Sequence, residues 1–328
     1  MLVAENSDRT PTVSVIVPCY RAASFVEETI DALSKQTFTD WEMIAIEDGV
    51  ADGAEDIVRA FGARVQQPVR FLKHAQNRGL SATRNTAFIA ARGRWLALLD
   101  ADDLWLPEHL ERGLHVAEHE RAEIVFGGSL LFDNQSGRDL AGRVPSETHL
   151  RSLPHSLFRN DFIIQPSSVI FTKRLVEKVG GFETLLRSVE DLDFYFRVLR
   201  AGFRLSYVGA ITCRYRKHAE ALSARALPMS AFAADVYARQ SHWKALPHPL
   251  RRRRIGSAFK SAGRIASRQR PFFAVLSFWR GLRANPHDWS HFAYAFATML
   301  RSLLKRANGL FASTCHSGPE FGGNRSDR

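Results

Sequence analysis

Only three cysteines, Cys19, Cys213 and Cys315, occur in 328 residues, and none forms a Cys-x-x-Cys pair. That argues against a disulfide framework and against a zinc site, and it fits a reducing compartment. Long apolar runs are also missing. No stretch reaches the ~18 uninterrupted apolar residues read as a membrane-spanning helix. The first dozen residues, through Asp8, Arg9 and Pro11, lack the apolar segment of a secretory leader. There is no internal repeat of the kind that marks a solenoid or a propeller. Acidic residues are scarce at one end: from Ser241 to Arg328 there are 16 Lys and Arg against 3 Asp and Glu. The formal net charge of +11 therefore belongs to the tail, because the rest of the chain is close to neutral. A partner for that charge is to be sought at the tail and not along the rest of the chain.

The chain is 45% hydrophobic, enough at this length for one large domain, or one domain and an appendage. Val13-Ser14-Val15-Ile16-Val17 is rich in β-branched residues and stops at Pro18, as a buried strand does. Ser24 is placed to cap a helix from about Phe25 to Gln36, with Glu27 and Glu28 in the first turn, where the helix dipole favours negative charge. Further strands are expected at Trp41 to Ile46, Val69 to Lys73 and Arg94 to Leu99. Helices are expected at Asp52 to Phe61 and Leu80 to Ala91. Strands alternating with helices at this spacing predict an α/β fold, with a mostly parallel sheet sandwiched by helices. Beyond it, a helix runs from Pro107 to about Glu120 and a strand from Ile124 to Phe132. Residues 165 to 204 read as strand, helix, turn and helix. From about Ala219 the pattern becomes helical and basic, and the Gly- and Ser-rich last dozen residues read as disordered. These readings divide the chain into a catalytic domain over residues 1–220 and a basic helical C-terminal extension over 221–328.

In sheets of this type ligands bind beyond the carboxyl ends of the strands. Acidic residues stand at those ends here. Asp100-Ala101-Asp102-Asp103 puts three carboxylates in four positions, an arrangement that needs a compensating positive charge. A divalent cation suits it, since hard cations take carboxylate oxygens and bridge diphosphates; a helix or turn cap before Pro107 is the simpler explanation. Glu47-Asp48-Gly49 ends the second strand, where a carboxylate can accept from a base N–H or a ribose hydroxyl. The alternative there is a plain strand–turn–helix junction capped by Asp52. Glu190-Asp191-Leu192-Asp193 opens a helix, either as a cap or as the base that removes a proton from an incoming hydroxyl.

Taken in order, these segments resemble the family 2 glycosyltransferases of GT-A fold. The resemblance is carried by Val13 to Ala22, Ser34-Lys35-Gln36-Thr37-Phe38, Asn77 to Asn85, Leu99 to Pro107, and Val179-Gly180-Gly181-Phe182 followed by Glu190-Asp191, over roughly residues 12 to 220. It implies an inverting transfer of sugar from a nucleoside-diphosphate donor to a hydroxyl. Asp48, with Glu47 beside it, would hold the base near the Pro18–Tyr20 backbone, and Asp100 would contact the ribose or the sugar. Arg84 would approach the donor. Asp102 would ligate Mg²⁺ or Mn²⁺ on the diphosphate. Asp191, in a motif with Glu190, would be the general base. Two departures stand out: the family often carries Asp at the Glu47 position with Ser-Thr at Val50-Ala51, and often Asn at Arg21.

The implied partners are a nucleotide-sugar donor and a sugar or lipid-linked acceptor, in surface polysaccharide or glycoconjugate synthesis. Tyr215-Arg216-Lys217-His218 reads as a solvated turn in preference to what the resemblance allows there, a basic pair or His that approaches the diphosphate or metal. Trp95 reads as core, while Trp105 is either core or the wall of a sugar pocket. The absence of a Gln-x-x-Arg-Trp motif points to single-sugar addition. Arg251 to Arg254, Pro271 to Trp279 and Phe292 to Leu310 read either as amphipathic helices on an anionic membrane surface or as an appendage packed on the domain. The location is then cytoplasmic, or peripheral on the inner face of the cell membrane. No nucleic-acid motif accompanies the charge, so nucleic acid is not an expected partner. A sugar nucleotidyltransferase would need a Gly-rich loop where Pro18-Cys19-Tyr20-Arg21 stands. The remaining alternative is a catalytically inactive carbohydrate- or nucleotide-binding protein of the same fold.

Overall fold

Alternation along the first strands builds two cores at once. The elements are β1 (Val13–Cys19), α1 (Val26–Ser34), β2 (Trp41–Asp48), α2 (Ala54–Gly62), β3 (Val69–His74), α3 (Leu80–Ala90) and β4 (Trp95–Leu98). Successive strand side chains point to opposite faces. Val13, Val15, Val17, Met43, Ala45, Trp95 and Ala97 therefore share one core with Val26, Ile30 and Leu33 of α1 and Val58 and Phe61 of α2. On the alternate positions Ile16, Ile44, Ile46, Leu96 and Leu98 are buried too. A strand covered on both faces has no room for polar alternation, which is why β1 reads as a continuous apolar run.

The computed structural model describes residues 10–314. After β4 come β5 (Leu104–Trp105), α4 (His109–Glu120), β6 (Ile124–Asp133), β7 (Asp139–Arg143), α5 (Glu147–Arg151), α6 (His155–Arg159), β8 (Val169–Thr172), α7 (Lys173–Val179), α8 (Glu190–Arg200) and β9 (Leu205–Lys217). The strand order is β3-β2-β1-β4-β8-β6-β9-β5, with β7 on β6. The parallel pairing expected from the alternating elements holds across β3-β2-β1-β4. In the second half β8 is antiparallel to both β4 and β6, β5 is antiparallel to β9, and only β6 and β9 run parallel. The sheet is thus mixed.

One local expectation is corrected and another holds. Ser24 does not cap α1: Phe25 occupies the cap position without a side-chain bond, and Ala22 O accepts from both Phe25 N and Val26 N. Asp52 does act at the start of α2, accepting from Ala54 N at 3.1 Å while its other oxygen accepts from Ala23 N at 3.0 Å. Within Ser34 to Phe38 the buried Gln36 clasps the end of α1 to the α4 segment, donating to Leu106 O and accepting from Leu110 N. Cys19 and Cys213 are buried free thiols, and burial followed by the nearby Asp52 and Glu47 pushes Cys19 up to about 12. Neither is a candidate nucleophile.

The described residues form two compact units that meet in sequence at Pro247 and His248. The first includes α9 (Ala226–Ala238), whose Tyr237 packs on Phe158 and Phe196, followed by Trp243 on Phe196. The second comprises α10 (His248–Ala266), α11 (Pro271–Ala284) and α12 (Ser290–Thr314). No helix of the described residues is long and apolar enough to cross a membrane. Cys315 and the terminal dozen residues lie outside the described part.

Candidate active site

The chain runs from β1 outward to β2 and β3, then returns to place β4 on the other side of β1. That reversal opens a crevice at the carboxyl ends of β1 and β4, the position where open α/β sheets bind ligands. The three carboxylates after β4 sit beside it, and each finds a different partner.

Asp100 accepts from Arg84 Nη2 at 2.6 Å, and Arg84 Nη1 donates to Glu190 Oε1 at 2.7 Å. One guanidinium on α3 therefore binds the strand-end acid and the first residue of α8, which are 90 positions apart. Arg84 is fully buried and lies against the Phe182 ring. Burial works against its charge, but Asp100 and Glu190 together hold its pKa above the ordinary arginine value. Phe182 belongs to a second aromatic core with Phe88, Phe171 and Phe194, which seats α3 and α8 on the sheet. Asn85 completes the joint by donating to Phe182 O and accepting from Phe182 N.

Asp102, with its side chain 32% exposed, faces His218 Nε2 at 2.9 Å. Asp103 is buried and takes bonds from Ser167 Oγ and Arg216 N. Burial first, then Asp102 and Asp100, lift its pKa well above the carboxylate range. It is a structural pin between β4, β8 and β9 and not a ligand. The turn-cap explanation for this cluster fails, because none of the three accepts from the Leu104–Pro107 backbone.

Tyr215 to His218 is likewise not a solvated turn. Its first three residues end β9, and the buried Arg216 donates to Asp102 O, Asn134 Oδ1 and Glu28 Oε2. Trp105 is core: its Nε1 donates to Ser167 O at 2.6 Å, and its ring stacks on His109. Burial pulls that histidine down to about 3, so it is neutral. Trp95 is buried as expected.

Glu190 and Asp191 open α8 from an unusual joint. Val189 adopts φ 61°, left-handed backbone that a β-branched residue enters only under strain. Glu190 is buried on Arg84, so it is committed to holding the helix start. Asp191 is only partly buried and keeps one oxygen clear of Leu192 N, which donates to the other at 2.8 Å. Burial, then Glu190 and Asp100, outweigh Arg84 and push its pKa up to about 7. Replacing Val189 with Gly relieves left-handed strain of about 1–2 kcal/mol while loosening the Glu190–Asp191 joint. Val189→Gly should therefore match or exceed the parent in urea midpoint and fall below it in kcat; a lower midpoint with unchanged kcat would contradict this.

On the far side of the crevice Asp48 is fully engaged: it accepts from Arg78 N, Gly79 N and His74 Nδ1, each at 2.8 Å. Although burial opposes it, those bonds keep its pKa below the usual value. Asp48 thus shapes the 74–79 loop, which passes so close to Gly49 that a Cβ there would stand 2.2 Å from Asn77 N. Glu47 lies beside Cys19 and Lys73 in the sheet register, with no hydrogen bond to its carboxylate among the described residues. Pro18 ends the run beside Ile46, and Tyr20 is 46% exposed with Arg21 over its ring. Arg21 has φ 53°, a conformation Asn accepts more readily than Arg, which accounts for the Asn commonly found there in the family it resembles.

Sequence reasoning missed Ser167, which carried no signal at all, and preferred a solvated turn over the reading in which Arg216 and His218 approach the diphosphate or metal.

A mixed α/β sheet with acidic residues at its strand reversal, tied through Arg84 to a carboxylate-led helix, is a GT-A-like architecture. Residues 14–180 match the model of glycosyl transferase family 2, and the chain belongs to that family. It is a glycosyltransferase that draws on a nucleotide-sugar donor. The uncharacterized glycosyltransferase MJ1057 of Methanocaldococcus jannaschii is 26% identical over 241 residues, 73% of this chain and 81% of its own. The putative teichuronic acid biosynthesis glycosyltransferase TuaG of Bacillus subtilis is 28% identical over 208 residues, 63% of this chain and 79% of its own. Among solved structures, S. aureus TarS 1-349 in complex with UDP-GlcNAc superposes with a TM-score of 0.63 at 16% identity, covering 83% of this chain and 81% of that one. The mannosyltransferase PcManGT of Pyrobaculum calidifontis, in complex with GDP-Man and Mn²⁺, gives 0.59 at 18% identity, covering 90% and 88%. At these identities the structural likeness speaks for the fold.

Proposed function

We propose that the chain is an inverting, divalent-metal-dependent glycosyltransferase that adds a single sugar from a nucleoside-diphosphate sugar to a hydroxyl acceptor in surface polysaccharide or glycoconjugate synthesis. The observation that carries the reading is the Arg84 bridge, which draws the strand-end acid cluster and the Glu190–Asp191 helix start to one crevice. The name of the TuaG relative and the nucleotide sugars bound to the two structural neighbours support the reaction class.

In this reading the nucleotide base lies against Tyr20 and the β1 end, with Glu47 as its carboxylate contact. Asp48 acts one step back by fixing the loop, and Asp100, held by Arg84, is turned toward the ribose or sugar. Asp191 takes the proton of the acceptor hydroxyl, whose oxygen attacks the anomeric carbon as the C–O bond to the diphosphate breaks on the opposite face. One displacement of this kind inverts the centre and needs no covalent enzyme intermediate.

Asp102 is the residue proposed to hold Mg²⁺ or Mn²⁺, with His218 beside it. Among the described residues no group of three or more His, Cys, Asp and Glu side chains is arranged to hold a metal. Two donors suit an ion that completes its shell with phosphate oxygens and water, as Mg²⁺ does at substrate phosphates. When bound, such an ion neutralises charge developing on the leaving diphosphate.

The test is a panel of nucleoside-diphosphate sugars assayed for donor hydrolysis and transfer, with the anomeric configuration of the product read by NMR. A retained configuration would overturn the inverting assignment. Asp102→Ala should lower kcat/KM by about 10²-fold or more, and Mn²⁺ should bind measurably only in the presence of the nucleoside diphosphate. Full activity in EDTA would remove the metal from the reading.

A further inference from the structure

The second unit carries more exposed apolar surface than a water-soluble helical bundle needs. Seventeen large hydrophobic side chains are exposed among the described residues, and eleven of them fall between Ile265 and Leu304. On α11 Phe272, Leu276 and Trp279 recur at steps of four and three, which puts them on one helix face. On α12 Phe292, Phe296 and Met299 repeat the same steps. Trp279 and Phe292 touch edge to face with centroids 6.4 Å apart, so the two stripes join into one apolar surface. Phe272 alone is 85% exposed.

These side chains are not core residues that missed their place. The interior of the unit is filled by Phe259 and Phe278 packed among Ala262, Ala266 and Ala274. It is tight enough that a Cβ on Gly263 would stand 2.6 Å from the Phe278 ring. A continuous apolar surface of this extent marks an interaction site. Its surroundings identify the partner. Residues 248–314 contain 13 Lys and Arg and one acidic residue, Asp288. Asp288 is neutralised within the unit, accepting from Lys260 Nζ at 2.6 Å. Arg268 and Arg270 just ahead of α11, and Arg283 one turn beyond Trp279 on the same helix face, are exposed. Two copies of so cationic a unit repel each other, whereas an anionic bilayer offers both an apolar phase and the opposite charge.

We propose that α11 and α12 dock the enzyme on an anionic phospholipid surface, with the joined stripe in the headgroup–acyl boundary and the arginines at the lipid phosphates. This inference stands on the second unit alone and not on the transferase reading.

The experiment is co-sedimentation of the full chain with vesicles of phosphatidylglycerol and phosphatidylcholine in equal parts, against phosphatidylcholine alone, at low and high salt. Trp279 and Trp289 emission is followed in parallel. Binding to the anionic vesicles with a blue shift is expected, weakening about tenfold or more on phosphatidylcholine or in high salt. The triple variant F272S/W279S/F296S should lose vesicle binding and retain the parent's donor hydrolysis and thermal midpoint, since all three side chains are exposed. Arg268→Glu with Arg283→Glu gives an independent second variant with the same expected loss. Absence of binding to anionic vesicles, or unchanged binding by both variants, would overturn the proposal. So would a concentration-dependent dimer that the triple variant abolishes while vesicle binding persists.

Discussion

Asp191→Asn is expected to lower transfer by roughly 10²–10⁴-fold, the range that removal of a general base costs, while leaving donor affinity within a few-fold. Asn keeps the size and the acceptor oxygen that Leu192 N binds, so the α8 start should hold its geometry. What disappears is the capacity to take a proton. Equilibrium binding of the nucleotide sugar and single-turnover transfer, measured on the same variant, separate the two effects. Normal turnover would eliminate Asp191 as the base.

As the proposed base, the same residue should set the pH dependence. Burial and the neighbouring Glu190 and Asp100 carry Asp191 up to about 7 against the opposing charge of Arg84. The base works only when ionised, so kcat/KM should fall tenfold per unit as pH drops below about 7. The sign for stability is opposite to that for activity. A carboxyl whose folded pKa is raised binds its proton more tightly folded than unfolded. Its contribution is therefore most favourable at low pH and is lost between about 4 and about 7. Asp191→Asn removes this penalty, and the variant should be more stable than the parent at pH 8 with little difference at pH 4. Lost activity with gained stability is what a residue kept for catalysis shows.

Much of this was legible in the sequence, and the part that was not shares one cause. The first four strands and their helices were readable because local alternation and β-branched runs report burial directly; β1 is apolar from end to end because both its faces are covered. β9 and its parallel pairing with β6 were not, since Ile124 meets Leu205 in register across 81 positions and nothing local announces it. The site divides the same way. The residue types of the acid cluster were visible, but their compensation was sought in a cation or in a local turn cap. The fold supplies much of it from distant chain: Arg84 to Asp100, His218 to Asp102, and Ser167 and Arg216 N to Asp103. The Glu47-Asp48 pair shows the limit most clearly. Adjacent strand residues point opposite ways, so Asp48 braces the 74–79 loop while the buried Glu47 has no hydrogen bond to its carboxylate among the described residues, and the sequence does not say which does which.

Arg84→Met should be the most damaging single change to folding in the first unit. Methionine nearly fills the volume, so the loss is electrostatic: Asp100 and Glu190 are left facing each other and Asp191 without their common cation. Breaking a buried ion pair on one side typically costs about 3–5 kcal/mol, a large share of the ~5–15 kcal/mol that holds a typical domain folded. A large drop in urea midpoint is expected. Adding Glu190→Gln should recover part of it, because one stranded charge is removed; a double variant no better than the single would mean that Arg84 acts through packing alone. The pH profile distinguishes these possibilities again. Arg84 lowers the pKa of Asp191, so in any folded Arg84→Met fraction the acidic limb of kcat/KM should move to higher pH. A limb that stayed near 7 would show that the guanidinium does not reach the base, and the bridge between the acid cluster and α8 would then be structural and nothing more.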